Sequence, residues 1–232
     1  WLTFGAIRQL GEGSMVGTGF TYTAARGEDG AYTRIMDGAL AVAHRPAASD
    51  FAFLAKLQYR SDTIRNAADQ GEAGAAGRTL FTMPGDARSD RVIASFSGNW
   101  TPKGRDAEAF VQRNEIGFFA AARHNLDRYQ DYDLKGTTVL GGLDLRIGIG
   151  DRIELGGVAT VRHGLQDGTT SFAVGPQIGI VPARDVLLVL GYNIAGFRDP
   201  DFSGARNTEK GLFATLRMKF DADSLGFLGL GR

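Results

Sequence analysis

An all-β chain, an antiparallel barrel of about eleven to twelve strands, is the fold class this sequence predicts, on three observations. Apolar and polar residues alternate with period two along many segments, as in Phe51–Tyr59, Thr138–Ile149 and Gly211–Phe220. The polar side of that alternation carries ionised residues, Lys56, Asp144, Arg146 and Arg217 among them, while the other side is largely aliphatic and aromatic. The links between segments sort into short corners and longer polar loops, the rhythm of a hairpin series.

Taken in order, weaker strands are read at 2–10, 15–25 and 34–45. Phe51, Phe53, Ala55, Leu57 and Tyr59 then oppose Lys56, Gln58 and Arg60, and Val92, Ala94, Phe96, Gly98 and Trp100 oppose Arg91, Ser95, Ser97 and Asn99. Another weak strand is placed at 107–120. Val139, Gly141, Leu143, Leu145, Ile147 and Ile149 face away from Asp144 and Arg146, and a short Gly150-Asp151 corner leads to Ile153–Arg162 of the same design. Thr170–Ile180 contains Pro176, which removes a ladder donor and predicts a bulge. Val186–Ile194 is apolar on both faces at one end. In Gly211–Phe220, Leu212, Ala214, Leu216, Met218 and Phe220 alternate with Thr215, Arg217 and Lys219.

Short connections are expected at Gly11–Ser14, Arg45–Asp50, Thr101–Asp106, Gly150–Asp151 and Pro182–Asp185, three of them with a Pro followed by Asp that belongs to turn chemistry. Longer ones are expected at 26–33, 62–88, 121–136 and 197–209, with the link at 166–168 an exception. Short turns on one side and longer loops on the other are what outer-membrane barrels show. An even strand number, usual for such barrels, would call for one further strand before Trp1.

Bulk properties exclude several classes. Lys and Arg equal Asp and Glu at 26 each, so no whole-chain basic field recruits nucleic acid. The chain has no cysteine, hence no disulfide, thiolate metal site or Cys nucleophile. No run of 18 apolar residues offers a helical membrane span. Strands that alternate lumen-facing and lipid-facing residues escape that test, because the two faces cancel in any hydropathy average.

The expected lumen-facing residues are Lys56, Arg60, Asp144, Arg146, Glu154, Arg162, Arg217 and Lys219, with Arg91 beside them. They can line a solute path or close a ladder of salt bridges, the latter preferred because a barrel of about twelve strands is narrow. Gly211, Leu216, Met218 and Phe220 are read as the membrane-insertion signal, a closing strand with its apolar face to lipid. His44, His124 and His163 show no metal spacing and read as surface or membrane-interface residues. Asp127, Asp131 and Asp133, and Asp199 and Asp201, are candidate cation sites, with solvated loops or pairing to Arg128 and Arg198 preferred. The stretch 62–90 is the longest loop, able either to fold into the mouth as a constriction or to stay mobile. Phe4, Tyr22, Tyr59, Trp100, Tyr192 and Phe220 suit interfacial aromatic girdles. No catalytic, cofactor-binding or metal residues are assigned; G-x-S-x-G is absent, and no enzyme is expected.

Across residues 34–220 the hairpins RIMDGALAVAHRP, SDFAFLAKLQYRSDT and VIASFSGNWTP, with the ending LGYNIAGFRDPDF and EKGLFATLRMKFD, resemble the C-terminal barrel domains of large proteobacterial surface proteins. In size the chain is also similar to an autotransporter translocator. The resemblance implies a bacterial outer-membrane location, an outer-membrane barrel over 1–221 and a periplasmic tail over 222–232. It further implies an anchoring, and exporting, role for a larger surface protein or assembly. The implied partners are outer-membrane lipid and lipopolysaccharide, the barrel-assembly machinery and an upstream surface domain, with no cofactor. A stand-alone small-solute channel is the alternative, followed by a soluble β-barrel binding protein, a sandwich, or an outer-membrane lipid hydrolase.

Overall fold

The computed structural model describes residues 1–27, 31–47, 49–67, 85–102, 104, 114–129, 132–150, 152–183, 186–199, 202 and 208–218. Its strands are β1 (Leu2–Gly11), β2 (Ser14–Arg26), β3 (Tyr32–His44), β4 (Phe51–Ala67), β5 (Gly85–Trp100), β6 (Ile116–Tyr129), β7 (Tyr132–Ile149), β8 (Ile153–Gly164), β9 (Thr170–Ala183), β10 (Val186–Asn193) and β11 (Gly211–Met218). All eleven form one antiparallel sheet in chain order, each bonded to the next. No helix occurs among the described residues.

Residues paired across an antiparallel ladder share a face, so register carries the sequence alternation from strand to strand. Val42, Ala55, Phe96, Ala120, Gly141, Val161 and Phe172 form one unbroken row across β3 to β9. The adjoining row on the other face runs Ala41, Lys56, Ser95, Ala121, Leu140, Arg162 and Ser171. The two faces have opposite fates. Ile147 is 65% exposed and Phe172 61%, whereas Arg146 is 5% and Glu154 1% exposed. Apolar residues are out and charged residues are in, the reverse of a water-soluble sheet. A two-sheet sandwich would bury Leu143 and Leu145; here there is one sheet, and both are exposed.

Aromatic rings gather on the outer face near the short corners. Phe51 lies 5.8 Å from both Phe53 and Phe118, Phe53 lies 5.7 Å from Phe96, and His44 packs 5.2 Å from Phe53. At the far end of β6 and β7, Tyr129 and Tyr132 stack at 4.9 Å.

Several expectations need correction. The strand expected at 107–120 runs instead over Ile116–Tyr129, and the loop expected at 121–136 is mostly strand. Charges such as Arg123, Asp127, Arg128, Asp133 and Lys135 read as loop, yet they pair in register, with Arg128 opposite Asp133. Strands reaching beyond an apolar band can be polar on both faces, because water satisfies both. In the same way β4 extends to Ala67 and β5 starts at Gly85, so both outer loops are shorter than expected.

Pro176 does not interrupt β9 against β8, where it lies opposite Gly157 in an even ladder. Towards β10 the regular pairs end at Gln177 with Gly191 and resume one residue out of step at Val174 with Ala195, so the irregularity is confined to one side. At that step Gly175 meets the β10 backbone: a Cβ there would sit 2.0 Å from the Tyr192 carbonyl oxygen.

The expected barrel is not closed in this structure: β1 and β11 are the two edges of the sheet. β10 does pair with β11 in register from Val186 with Met218 to Asn193 with Gly211. Lys219 and Phe220, and the tail 222–232, lie outside the described residues.

Candidate functional site

The polar face curls round a cavity of about 560 Å³ with walls drawn from β4 to β11. Alternation supplies its lining one residue in two: Lys56 and Gln58 from β4, Ser95, Ser97 and Asn99 from β5, Asp144 and Arg146 from β7, and Thr215 and Arg217 from β11. β10 contributes apolar residues instead, Leu187 and Val189 packing with Val181 and Phe213. This is the stretch that reads as apolar on both faces.

Towards the short corners, charges close the space. Arg146 is clamped between Glu115, which its Nη2 reaches, and Glu154, whose Oε2 lies 3.3 Å from its Nη1. The Arg146 amide also donates to the Glu115 carbonyl at 2.9 Å, which ties the start of β6 to β7. All three side chains are nearly fully buried, so each charge relies on its partners rather than on water. Nearby, the Gln177 amide donates to Asp144, Lys56 Nζ to Gln58 Oε1 at 3.0 Å, and Gln58 Nε2 to both Asp37 oxygens at 3.0 and 3.1 Å.

Towards the longer loops, two residues of the segment between β10 and β11, Asp199 and Phe202, lie against the polar face. Asp199 is buried, with Oδ1 accepting from Arg123 Nη1 at 3.1 Å and Oδ2 lying 3.1 Å from Arg162 Nε. Phe202, 3% exposed, is wedged against Leu140 with Ile93, Phe119, Ala121 and Phe197 around it, and the Arg123 guanidinium lies 5.2 Å from its ring centre. The base of this segment is tied by Phe197 N to Thr208 O at 2.8 Å and by Thr208 Oγ1 to Phe197 O at 2.7 Å. Phe202 and Thr208 thereby join the cavity lining.

The expected lumen residues are thus distributed over several tasks. Lys56, Asp144, Arg146 and Arg217 line the cavity. Glu154 belongs to the Arg146 clamp and Arg162 to the Asp199 clamp. Arg60 pairs with Asp62 at 3.0 Å further towards the long loops, and Lys219 lies outside the described residues. On β11, Leu216 is exposed on the face away from the cavity, and Gly211 opens the strand with φ of 123°. Sequence reasoning missed Glu115 and Phe202. Glu115 lies in a stretch expected to be an ordinary strand, and Phe202 in FRDPDF reads as a loop aromatic; neither has a local signal, since their partners come from distant strands.

The acidic candidates also resolve differently. Among the described residues no group of His, Asp or Glu has a metal-binding arrangement. Asp199 pairs with Arg123 and Arg162 rather than Arg198, and Arg198 pairs with Glu209 at 3.3 Å. Asp127 accepts from the Ser89 hydroxyl, while Asp131 and Asp201 lie outside the described residues. The three histidines stay apart on the outer face, each bonded to a hydroxyl of a neighbouring strand: His44 to Ser14, His124 to Thr137 and His163 to Thr170, at 2.8, 2.9 and 2.8 Å. Of the loop expected at 62–90, residues 68–84 lie outside the described residues.

In the turn after β8, Asp167 accepts from the Thr169 hydroxyl at 2.8 Å and amide at 3.1 Å. Those bonds, the hydroxyl's first, hold its carboxyl below the usual carboxylate range. Comparison of the chain with protein-family models, characterised proteins and solved structures returns no match.

Proposed function

We propose that the chain is an outer-membrane β-barrel that anchors a larger cell-surface protein or assembly. The observation that carries this reading is the inverted distribution of polarity. From β3 to β11 the apolar face lies outward, while Arg146, Glu154 and Gln177 are buried on the opposite face. Water gives no reason for that arrangement; a hydrocarbon surround does. Open sheet edges do not persist in hydrocarbon, so in the membrane the edges of β1 and β11 are covered by closure of the sheet or by a further strand.

Length supports the same reading. In β7 the outward apolar positions run from Val139 to Ile149. Ten residues at about 3.4 Å, tilted by roughly 40°, span about 26 Å, close to the apolar band of such barrels, about 25 Å. The paired charges and the inward-packed Asp199 and Phe202 favour an anchor over an open pore. The cavity beneath these residues favours a solute-binding channel as the second reading.

Flotation with lipid vesicles tests the proposal. The refolded chain is expected to float with liposomes, resist carbonate extraction and need detergent to stay monomeric. A detergent-free monomer that stays in solution refutes it. Low conductance in planar bilayers supports the anchor, and a stable ion-selective current supports the channel.

A further inference from the structure

We infer that Arg123 and Arg162 form a binding site for an arylalkanoic carboxylate, an aromatic ring on a short carboxylate chain, and that Asp199 and Phe202 occupy it as an internal stand-in. Asp199 presents a carboxylate to two guanidinium groups, at 3.1 Å in each case, and Phe202 lays its ring near one of them in an apolar niche of Leu140, Ile93, Phe119 and Ala121. A carboxylate plus a ring, held by two cations and an apolar recess, is the recognition pattern of such an acid.

The internal occupant is imperfect. Asp199 makes an aligned hydrogen bond with Arg123, but Arg162 Nε has no aligned acceptor among the described residues despite its short contact. A free carboxylate is not constrained by the chain and can align with both. The site opens onto a cavity large enough for a small acid, and its wall holds the Thr160 hydroxyl, 3% exposed and without a hydrogen-bond partner among the described residues. A short flexible link between ring and carboxylate lets the ring fold over the Arg123 face while the oxygens lie in the guanidinium plane, which benzoate's rigid geometry forbids.

Competition gives the test its sign. Ligand and internal stand-in exclude each other, so apparent affinity is lowered by the fraction of molecules in which the site is occupied from within. Calorimetry on the full 232-residue chain, refolded in detergent, uses 3-phenylpropanoate as probe, with propanoate and 3-phenylpropanol lacking ring and charge respectively. Asp199→Asn and Phe202→Ala are each expected to tighten 3-phenylpropanoate binding about tenfold or more. Arg162→Gln is expected to weaken it about tenfold, and both control probes to bind at least about tenfold more weakly. Unchanged circular dichroism and heat-modifiable gel mobility verify folding, and only variants that pass are scored.

Unchanged or weakened binding in Asp199→Asn overturns the inference, because a purely structural aspartate gives no gain on removal. Equal binding of propanoate overturns the assignment of the ring. The inference takes the inward face from the proposed membrane reading, but calorimetry is independent of insertion. Loss of binding with flotation intact refutes this site alone, and binding without flotation refutes the membrane anchor alone.

Discussion

Leu143→Arg separates a lipid-facing sheet from a water-facing one. The outward apolar run of β7 extends from Val139 to Ile149, so its middle falls at residues 143–145. Leu143 lies there, half exposed, opposite Phe118 on β6 and Ala159 on β8, with no charged residue in its row. An arginine at the bilayer midplane of a barrel costs about 2–4 kcal/mol. That is roughly 30- to 700-fold in the folding equilibrium. If the same face met water, a half-exposed substitution would cost within about 0.5 kcal/mol. The assay is reversible urea unfolding in lipid vesicles, followed by tryptophan fluorescence, with Ile149→Arg as the shallow comparison, expected to lose less because it ends the run. A Leu143→Arg variant that inserts and unfolds like the parent, or that loses less than Ile149→Arg, refutes the lipid-facing assignment.

Arg146→Met leaves Glu115 and Glu154 buried without their shared cation and is expected to cost about 3–5 kcal/mol in the same unfolding assay. A loss below about 1 kcal/mol would show that water reaches the clamp. Gly175→Ala forces a methyl against the Tyr192 carbonyl oxygen and is expected to destabilise by about 1–3 kcal/mol, with hydrogen-exchange protection lost first in β10. In the turn after β8, the carboxyl of Asp167 titrates below its unfolded value, so its contribution is complete above the ordinary carboxylate pKa and is lost as pH falls through the folded one. An NMR titration should show this depression, and Thr169→Val should bring the titration back towards the ordinary value.

Strand number, antiparallel order and the division of each strand into two faces are written locally, because side chains in a strand alternate with period two and hairpins join neighbours. Thus the exposure of Leu143 and Leu145, and the burial of Arg146 and Glu154 on the other face, follow from residues a few places apart. Strand ends were less legible. The charged outer parts of β6 and β7 look like loop until register places Arg128 opposite Asp133. The partners of the charges could not be read along the chain at all. Arg146 meets Glu115 across 31 positions, and Arg123 meets Asp199 across 76, because curling of the sheet sets which strands face one another across the cavity. The sequence by itself therefore determined which side chains share the polar face. The tertiary structure decided which of them neutralise one another, and that Asp199 and Phe202, from between β10 and β11, pack against that face. The physical reason is range: alternation is a property of neighbouring residues, whereas pairing of buried charges depends on curvature summed over many strands.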